Sequence, residues 1–254
     1  QIKTGAAPQG DLTVHDRLED ALRGAVLIQE NAPENIPLKH RLYAQIEAAV
    51  PRDVIIASST SAHPWSDLVP GMHAPDRLIT AHPFNPPHLV PLVELYGPDP
   101  KVVDWAEAFY RSLGSAPVRL KKDAVGHIAN RLSSALWREA VHIVADGIAD
   151  VDAVDMALVN GPGLRWSVLG AHMAYHLGGG AGGMAGYLEH LGPSQQKRWD
   201  SLGSPTLDAD TRARLVEGVN TEAAGRSITQ LEAERDAALI ELAQMRQRLA
   251  AQKD

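Results

Sequence analysis

Four polar residues have side chains of the kinds that alcohol oxidation requires. His82 lies in the segment His-Pro-Phe-Asn-Pro-Pro, with Ser61 21 residues before it, Glu94 12 residues after it and Asn130 48 residues after it. Oxidising a secondary alcohol needs a base for the hydroxyl proton, and histidine titrates closest to working pH. A carboxylate can fix the tautomer of the imidazole, while a hydroxyl and an amide hold the reacting oxygen. We therefore interpret these four residues as a catalytic set with His82 as general base.

The first half of the chain contains the elements that must position this set. Short apolar runs read as buried strands at residues 26–28, 54–57 and 78–81, and residues 38–50 have helical spacing. Short apolar strands that alternate with helices predict a parallel sheet with both faces covered. Sites in such sheets form at the carboxyl ends of the strands. Since Glu34, Ser61 and His82 follow these runs, we expect them at one edge, with His82 bonded to Glu94 and facing an open cleft.

The second half of the chain is predicted to be helical. Apolar residues at helical spacing predict helices over 128–147 and around 154–159, and Ser227 with Gln230 forms a capping box before a last helix. We place the domain boundary where the strand-like residues 117–120 give way to the long helix. The predicted division is 1–122 for the α/β domain, 123–225 for the helical domain and 226–254 for the C-terminal helix.

Composition excludes several function classes. The chain has 254 residues, 44% hydrophobic and 22% charged, as in a globular protein. Its net charge of −7 argues against nucleic-acid and anionic-membrane partners. It has no cysteine, which excludes disulfides, thiolate catalysis and cysteine zinc sites and is compatible with the cytoplasm that we predict. His172 and His176 have the spacing of a metal pair but lack an acidic third ligand, so we expect no metal.

The order and spacing of Ser61, His82, Glu94 and Asn130 resemble the 3-hydroxyacyl-CoA dehydrogenase family. The resemblance runs from about residue 18 to about residue 225. It implies an α/β Rossmann-type parallel sheet followed by an all-α C-terminal domain, with NAD as cofactor. In the family these four positions carry the catalytic histidine, its glutamate partner, and the serine and asparagine that hold the reacting oxygen of the substrate.

The resemblance also implies cofactor-binding positions. These are Ala32, Glu34, Lys39, Ser61 and Asn85. Family members begin with a strand, a Gly-rich turn and a helix, whereas this chain opens at residues 12–14, which look like the third strand. We therefore expect a Rossmann-type domain that lacks its first strands and its Gly-rich loop in this sequence.

Two further segments resemble one branch of the family. Residues 161–166 (Gly-Pro-Gly-Leu-Arg-Trp) and 176–180 (His-Leu-Gly-Gly-Gly) are similar to the branch of L-carnitine dehydrogenases and of lambda-crystallin, which is similar to L-gulonate dehydrogenase. Its members oxidise free 3-hydroxy acids. Arg165 can bind a carboxylate and Trp166 a quaternary ammonium, so both join Ser61 and Asn130 as predicted substrate-binding residues.

The predicted function is therefore NAD-dependent oxidation of the 3-hydroxyl of a small, carnitine-like L-3-hydroxy acid to the 3-keto acid. One alternative is a 3-hydroxyacyl-CoA dehydrogenase, for which Lys121 and Lys122 could bind phosphates. Another is a non-catalytic, crystallin-like structural protein. Arg165 pairing with a surface acid and Trp166 packing in a core also stay open. The resemblance further implies a homodimer formed through the helical domain, with a contribution from the last helix.

Overall fold

The computed structural model describes residues 10–252, which form two compact units. The first contains the residues up to Leu132 together with Asp236–Met245. The second contains Ser133–Arg235 and the residues from Arg246 onward. The predicted domain division at residues 122 and 225 stays a prediction. The two compact units are defined by contacts in space, and each of them contains two separate stretches of the sequence.

The first unit is built on a five-stranded sheet in the order β1-β2-β3-β4-β5. Its strands are β1 Leu27–Glu30, β2 Ile55–Ser58, β3 Leu78–Pro83, β4 Leu92–Tyr96 and β5 Ala116–Arg119. The three predicted strands are confirmed as β1, β2 and β3. The expectation of a wholly parallel sheet is wrong at one place, because β3 and β4 are antiparallel. The connection over residues 84–91 is too short for the crossover that a parallel pair needs.

Both faces of the sheet are covered, as continuous apolar strands predict. Ile55 and Ala57 face one core with the helix Pro100–Ser112, whereas Ile56 faces the other core with the helices Ile36–Ala49 and Trp65–Leu68. The side chains alternate in this way because successive residues of a strand point to opposite faces. The helices of this part are α1 Leu18–Ala21, α2 Ile36–Ala49, α3 Trp65–Leu68 and α4 Pro100–Ser112, with a 3₁₀ turn at Pro75–Arg77.

The loop between β1 and α2 ends in a helix cap. The Asn35 side chain accepts a hydrogen bond from the Leu38 amide at 2.9 Å, and Pro37 occupies the first turn of α2. Such a cap satisfies one of the free amides at a helix start, and proline is well suited to the first turn. The end of the loop that carries Glu34 is therefore fixed where the helix begins.

Residues 12–14 do not form a strand in this structure. Leu12 and Val14 are exposed, and residues 11–15 lie outside the helices and strands. A strand needs a neighbour for its backbone hydrogen bonds, and β1 pairs with β2 alone among the strands of residues 10–252. The reading of residues 12–14 as the third strand of a Rossmann domain is therefore wrong for this chain as described.

After β5 the described residues form helices and turns only, as predicted. The helices are α5 Ala129–Ala145, α6 Val151–Leu158, α7 Leu164–Trp166, α8 Ala171–Gly178, α9 Gly183–Asp200, α10 Ala209–Ala223 and α11 Ile228–Ala251, with a π turn at Val159–Gly163 and a 3₁₀ turn at Gly180–Gly182. The capping box before α11 is confirmed, since Ser227 and Gln230 make both of its hydrogen bonds. None of the helices between residues 10 and 252 has the length and apolar content to span a bilayer.

Candidate active site

His82 and Glu94 face each other across the antiparallel strands β3 and β4. They are register partners, and His82 Nδ1 lies 3.0 Å from Glu94 Oε2. Directly opposed residues of antiparallel strands have side chains on the same face of the sheet. The predicted contact is therefore present, but it arises from strand register and not from placement after two strands.

The second oxygen of Glu94 is held by the start of α5. Glu94 Oε1 accepts hydrogen bonds from the amides of Ile128 at 2.8 Å and Ala129 at 2.9 Å. Burial alone would raise the pKa of Glu94, but the hydrogen bonds from His82, Ala129 and Ile128 outweigh it and lower that pKa. The carboxylate is therefore ionised at neutral pH and accepts the Nδ1 hydrogen of His82. This tautomer leaves the Nε2 lone pair of His82 as the basic site.

The imidazole of His82 is more enclosed than the predicted open cleft. His82 is 6% exposed, and its ring centroid lies 6.1 Å from that of Phe84 and 5.3 Å from that of His127. The two neighbouring rings contribute to this enclosure. A small exposed edge limits how a hydroxyl can reach His82, which favours a single orientation of the reacting group.

Glu34, Ser61 and Asn130 form a second hydrogen-bonded group. Glu34 Oε1 accepts from the Ser61 amide at 2.5 Å and from the Ser61 hydroxyl at 2.8 Å, while Glu34 Oε2 accepts from the Thr60 hydroxyl at 2.9 Å. Asn130 Nδ2 donates to the Ser61 carbonyl at 2.8 Å. The structure thus brings together Ser61 and Asn130, as predicted, and joins Glu34 to them.

The groups around Glu34 favour the ionised form of its carboxyl group. Its burial would raise its pKa, but hydrogen bonds from Ser61 and Thr60 and the charge of Lys39 lower it on balance. The Glu34 side chain is 37% exposed, so an ionised carboxylate edge meets solvent beside Ser61. A carboxylate in this position can accept hydrogen bonds from the hydroxyls of a ligand.

Lys39 lies in a buried network that the sequence reasoning missed. Lys39 is 1% exposed, and its Nζ donates to Glu30 at 2.9 and 3.0 Å and to the Ala32 carbonyl at 3.2 Å. Tyr43 and Ser58 each donate to Glu30 Oε2 at 2.7 Å, and burial raises the pKa of Tyr43. Lys39 and Tyr43 lie on the buried face of α2. Their helical spacing among apolar residues could have indicated this buried network from the sequence.

Of the remaining predicted cofactor positions, Ala32 contacts this network. The Ala32 amide donates to Glu30 Oε1 at 2.6 Å and the Ala32 carbonyl accepts from Lys39 Nζ, so the backbone of the loop is held on both sides of Ala32. Asn85 is exposed in the turn after β3. The roles of Ala32, Lys39 and Asn85 in binding stay predictions, although the burial of Lys39 indicates that it supports the loop from within.

Arg165 and Trp166 belong to the other compact unit. Both lie in α7, just after the π turn at Val159–Gly163, and both are exposed. They are therefore available to a solute on the surface of the helical unit. Their role in substrate binding stays a prediction.

Comparison with known proteins identifies the family. The model of the 3-hydroxyacyl-CoA dehydrogenase NAD binding domain matches residues 3–124, and that of the C-terminal domain matches residues 126–209. The chain belongs to the 3-hydroxyacyl-CoA dehydrogenase family. It is 46% identical to an L-carnitine dehydrogenase of Nocardiopsis dassonvillei over 93% of this chain and 73% of the relative. It is 45% identical to an L-carnitine dehydrogenase of Streptomyces coelicolor over 96% of this chain and 77% of the relative.

Solved structures of the family share this fold. The chain is similar to 5-formyl-3-hydroxy-2-methylpyridine 4-carboxylic acid 5-dehydrogenase, an NAD+ dependent dismutase, with a TM-score of 0.72 and 29% identity over 92% of this chain and 77% of that one. It also resembles the (S)-3-hydroxybutyryl-CoA dehydrogenase PaaH1 of Ralstonia eutropha, with a TM-score of 0.53 and 31% identity over 57% of this chain and 53% of that one. The chain is thus an NAD-dependent dehydrogenase with a Rossmann-type sheet and a helical C-terminal part.

The described residues suit the nicotinamide end of NAD. Glu34, Ser61 and Asn85 offer a carboxylate, a hydroxyl and an amide, which match the hydroxyls of a ribose and the carboxamide of nicotinamide. No Gly-rich turn follows any of the strands β1–β5 within residues 10–252, so this match concerns the nicotinamide end and not the pyrophosphate. NAD held by these residues would supply the acceptor for the hydride that leaves the substrate carbon.

Proposed function

We propose that the chain oxidises the 3-hydroxyl of a small free L-3-hydroxy acid of the carnitine type to the 3-keto acid. The observation that carries this proposal is the contact between His82 and Glu94, with the carboxylate anchored by two amides at the start of α5. Glu94 keeps the hydrogen of His82 on Nδ1 and stabilises the imidazolium. His82 Nε2 takes the proton of the substrate hydroxyl.

Asn130 and Ser61 hold the reacting oxygen in this proposal. One N–H of Asn130 is engaged by the Ser61 carbonyl, and the amide has a second N–H for the oxygen of the substrate. The Ser61 hydroxyl donates to Glu34. It can turn to the substrate, since the Ser61 amide and the Thr60 hydroxyl still bond to that carboxylate. Both donors then stabilise negative charge on the oxygen as its proton leaves.

The free-acid substrate rests on the relatives and on Arg165 and Trp166. Relatives at 40–46% identity are named L-carnitine dehydrogenase. Both side chains are exposed and lie in one short helix. A guanidinium binds a carboxylate through two hydrogen bonds, and an indole face attracts a quaternary ammonium. These are the charged groups at the two ends of carnitine.

The test compares substrates and variants in the full-length protein. NADH formation is followed with L-carnitine, 3-hydroxybutyrate and 3-hydroxybutyryl-CoA. His82→Asn keeps a donor near Nδ1 for Glu94 but removes the base, so turnover should fall at least about a hundredfold. Arg165→Met should lower kcat/KM for free acids about ten- to a hundredfold and spare the thioester. Arg52→Met, which breaks an exposed pair of 3.6 Å with Asp76, is the matched control.

Two outcomes would overturn parts of this proposal. Near-normal turnover of His82→Asn would remove His82 as the base. An equal loss with Arg165→Met on free acid and thioester would make Arg165 structural.

A second candidate function is oxidation of 3-hydroxyacyl-CoA. It is favoured by a groove in the first unit whose lining includes the cationic residues Arg119, Lys121, Lys122 and Arg131. Such a groove suits the phosphates of a CoA moiety. Activity of the parent protein on the thioester alone, with loss of that activity in Lys121→Ala and Lys122→Ala, would establish this function in place of the first.

The proposed assembly is a homodimer formed through the helical unit. This unit exposes many large apolar side chains, including Trp137, Ile148, Met156, Val159, Leu164, Val168, Met173, Leu177, Leu188 and Trp199. Exposed apolar surface on this scale is typical of an interface, and obligate pairs bury upward of about 2,000 Å². Light scattering at micromolar concentration should give the mass of a dimer, and a monomer would contradict the proposal.

A further inference from the structure

We infer that His127, to which no role was assigned from the sequence, is a positioning residue that sets Ser61 against the His82–Glu94 pair. The inference rests on the proposed function of that pair. His127 is 1% exposed, and its ring lies 5.3 Å from the His82 ring at an interplanar angle of 35°. Its Nε2 lies 2.9 Å from the Thr60 carbonyl, one residue before Ser61. One buried side chain thus contacts His82 and the loop that carries Ser61.

The contact with Thr60 assigns the hydrogen of His127. A backbone carbonyl can only accept a hydrogen bond, so Nε2 of His127 must carry the hydrogen. The side chain therefore acts as a hydrogen-bond donor to the Ser61 loop through Nε2. Of the two neighbouring imidazoles, His82 is thus the proposed base, and His127 holds the loop.

His127 is one of three residues that donate hydrogen bonds to the backbone of residues 60–62. Three successive carbonyls of the loop accept hydrogen bonds from residues 126–130. The bonds run from His127 Nε2 to Thr60 O at 2.9 Å, from Asn130 Nδ2 to Ser61 O at 2.8 Å, and from the Gly126 amide to Ala62 O at 3.1 Å. These bonds fix the loop along its length and not at one point.

The same segment also holds Glu94. The amides of Ile128 and Ala129, which follow His127 directly, bind Glu94 Oε1. Residues 126–130 therefore connect the Ser61 loop on one side to the carboxylate of the pair on the other. The backbone turns sharply to do this, because Gly126 and His127 both have positive φ, 71° and 49°. Loss of the Thr60 contact would let Ser61 move relative to His82.

Two substitutions separate positioning from packing. His127→Gln keeps an N–H that can reach the Thr60 carbonyl but loses the ring. His127→Phe keeps the ring beside His82 but loses the donor. If His127 positions the loop, kcat for the 3-hydroxy acid should fall about tenfold or more in His127→Phe and should be largely rescued in His127→Gln, because small displacements of a reacting geometry are costly. The KM for the same substrate should change by less than about threefold.

A packing role predicts the opposite order, with His127→Phe the better enzyme, and that result would overturn the inference. His40 offers a matched control, since its Nε2 also lies 2.8 Å from a carbonyl, that of Asp67, at an exposed site. His40→Phe and His40→Gln should leave kcat unchanged. If His127→Phe does not fold, as judged by circular dichroism, His127→Asn replaces it, because its short amide suits positive φ but ends short of the Thr60 carbonyl.

His82→Asn is measured in parallel. If it loses turnover while His127→Phe matches the parent, the inference about His127 is wrong and the proposed function stands. If His82→Asn keeps turnover, the proposed function fails and the role of His127 in it fails as well.

Discussion

Two buried glutamates of the sheet differ in the side chains that bind them. Glu30 at the end of β1 bonds to Lys39, Tyr43 and Ser58. Glu94 in β4 bonds to His82 and to two amides of α5. The partner of Glu30 is a lysine that also binds the Ala32 carbonyl, whereas the partner of Glu94 is an imidazole, which can act as a general base. The difference teaches that the first network supports the loop after β1, while the second can move a proton.

The networks are nevertheless connected along the sheet edge. Glu30 fixes Ala32, and the loop of Ala32 carries Glu34, which bonds to Ser61. Asn130 bonds to the Ser61 carbonyl, and the residues just before it bond to Glu94. The Glu30–Lys39 ion pair therefore supports one side of the site whose other side holds the His82–Glu94 pair. Substitutions in the first network should change stability most, and those in the second should change turnover most.

The largest expected effect is on stability, from Glu30→Met or Lys39→Met. Each leaves one buried charge without its partner, which costs about 3–5 kcal/mol of unfolding free energy. The double variant should be less destabilised than either single one, because no unpaired charge remains. It should not recover the parent stability, since Tyr43 and Ser58 lose their acceptor. Urea unfolding of the four proteins measures this, and a double variant as unstable as the sum of the single ones would contradict it.

The next effect is on turnover, from Glu94→Gln. The amide oxygen can still accept from Ile128 and Ala129, while the amide nitrogen then donates to His82 Nδ1. This moves the hydrogen of the imidazole to Nε2 and blocks the base, so kcat should fall on the order of a hundredfold or more. The loss of unfolding free energy should be about 1–2 kcal/mol, less than for Glu30→Met. Steady-state kinetics with the 3-hydroxy acid measures this. A kcat within threefold of the parent would contradict the conclusion that the Glu94 network moves a proton.

Much of the fold was predictable, because strand patterns here are strong. The apolar runs that became β1, β2 and β3 are short and continuous, as in strands buried on both faces. The contact of His82 with Glu94 was predictable from spacing and resemblance. The antiparallel direction of β4 was missed, although the short connection over residues 84–91 excludes a parallel crossover.

Other features depend on contacts that spacing does not specify. Lys39 was predicted to bind the cofactor, and its burial against Glu30 depends on how α2 packs on β1. His127 has no pattern of its own, since its role depends on the approach of residues 126–130 to the Ser61 loop. Residues 12–14 (Leu-Thr-Val) resemble a strand in composition, but a strand exists only where a neighbour pairs with it. In each case the missing information was a partner distant in sequence.

The smallest expected effect is the acid sensitivity of the His82–Glu94 pair. The pKa of Glu94 in the fold lies below its ordinary value, because the hydrogen bonds from His82 and two amides outweigh burial. A lowered pKa means that Glu94 stabilises the fold fully above the ordinary glutamate pKa of about 4.3. This contribution is lost as the pH falls through the lower pKa of the fold, since protonation removes the carboxylate that accepts these bonds.

The free energy of unfolding of the parent should therefore decrease as the pH falls from about 5 to about 3, and part of that slope should come from Glu94. Glu94→Gln cannot titrate at this position, so its unfolding free energy should decrease less steeply over the same range. Urea unfolding at a series of pH values in that window gives both slopes. Equal slopes would mean that Glu94 has the same pKa in the folded and unfolded chain, and the anchored carboxylate would then not be the acid-sensitive member of the two networks.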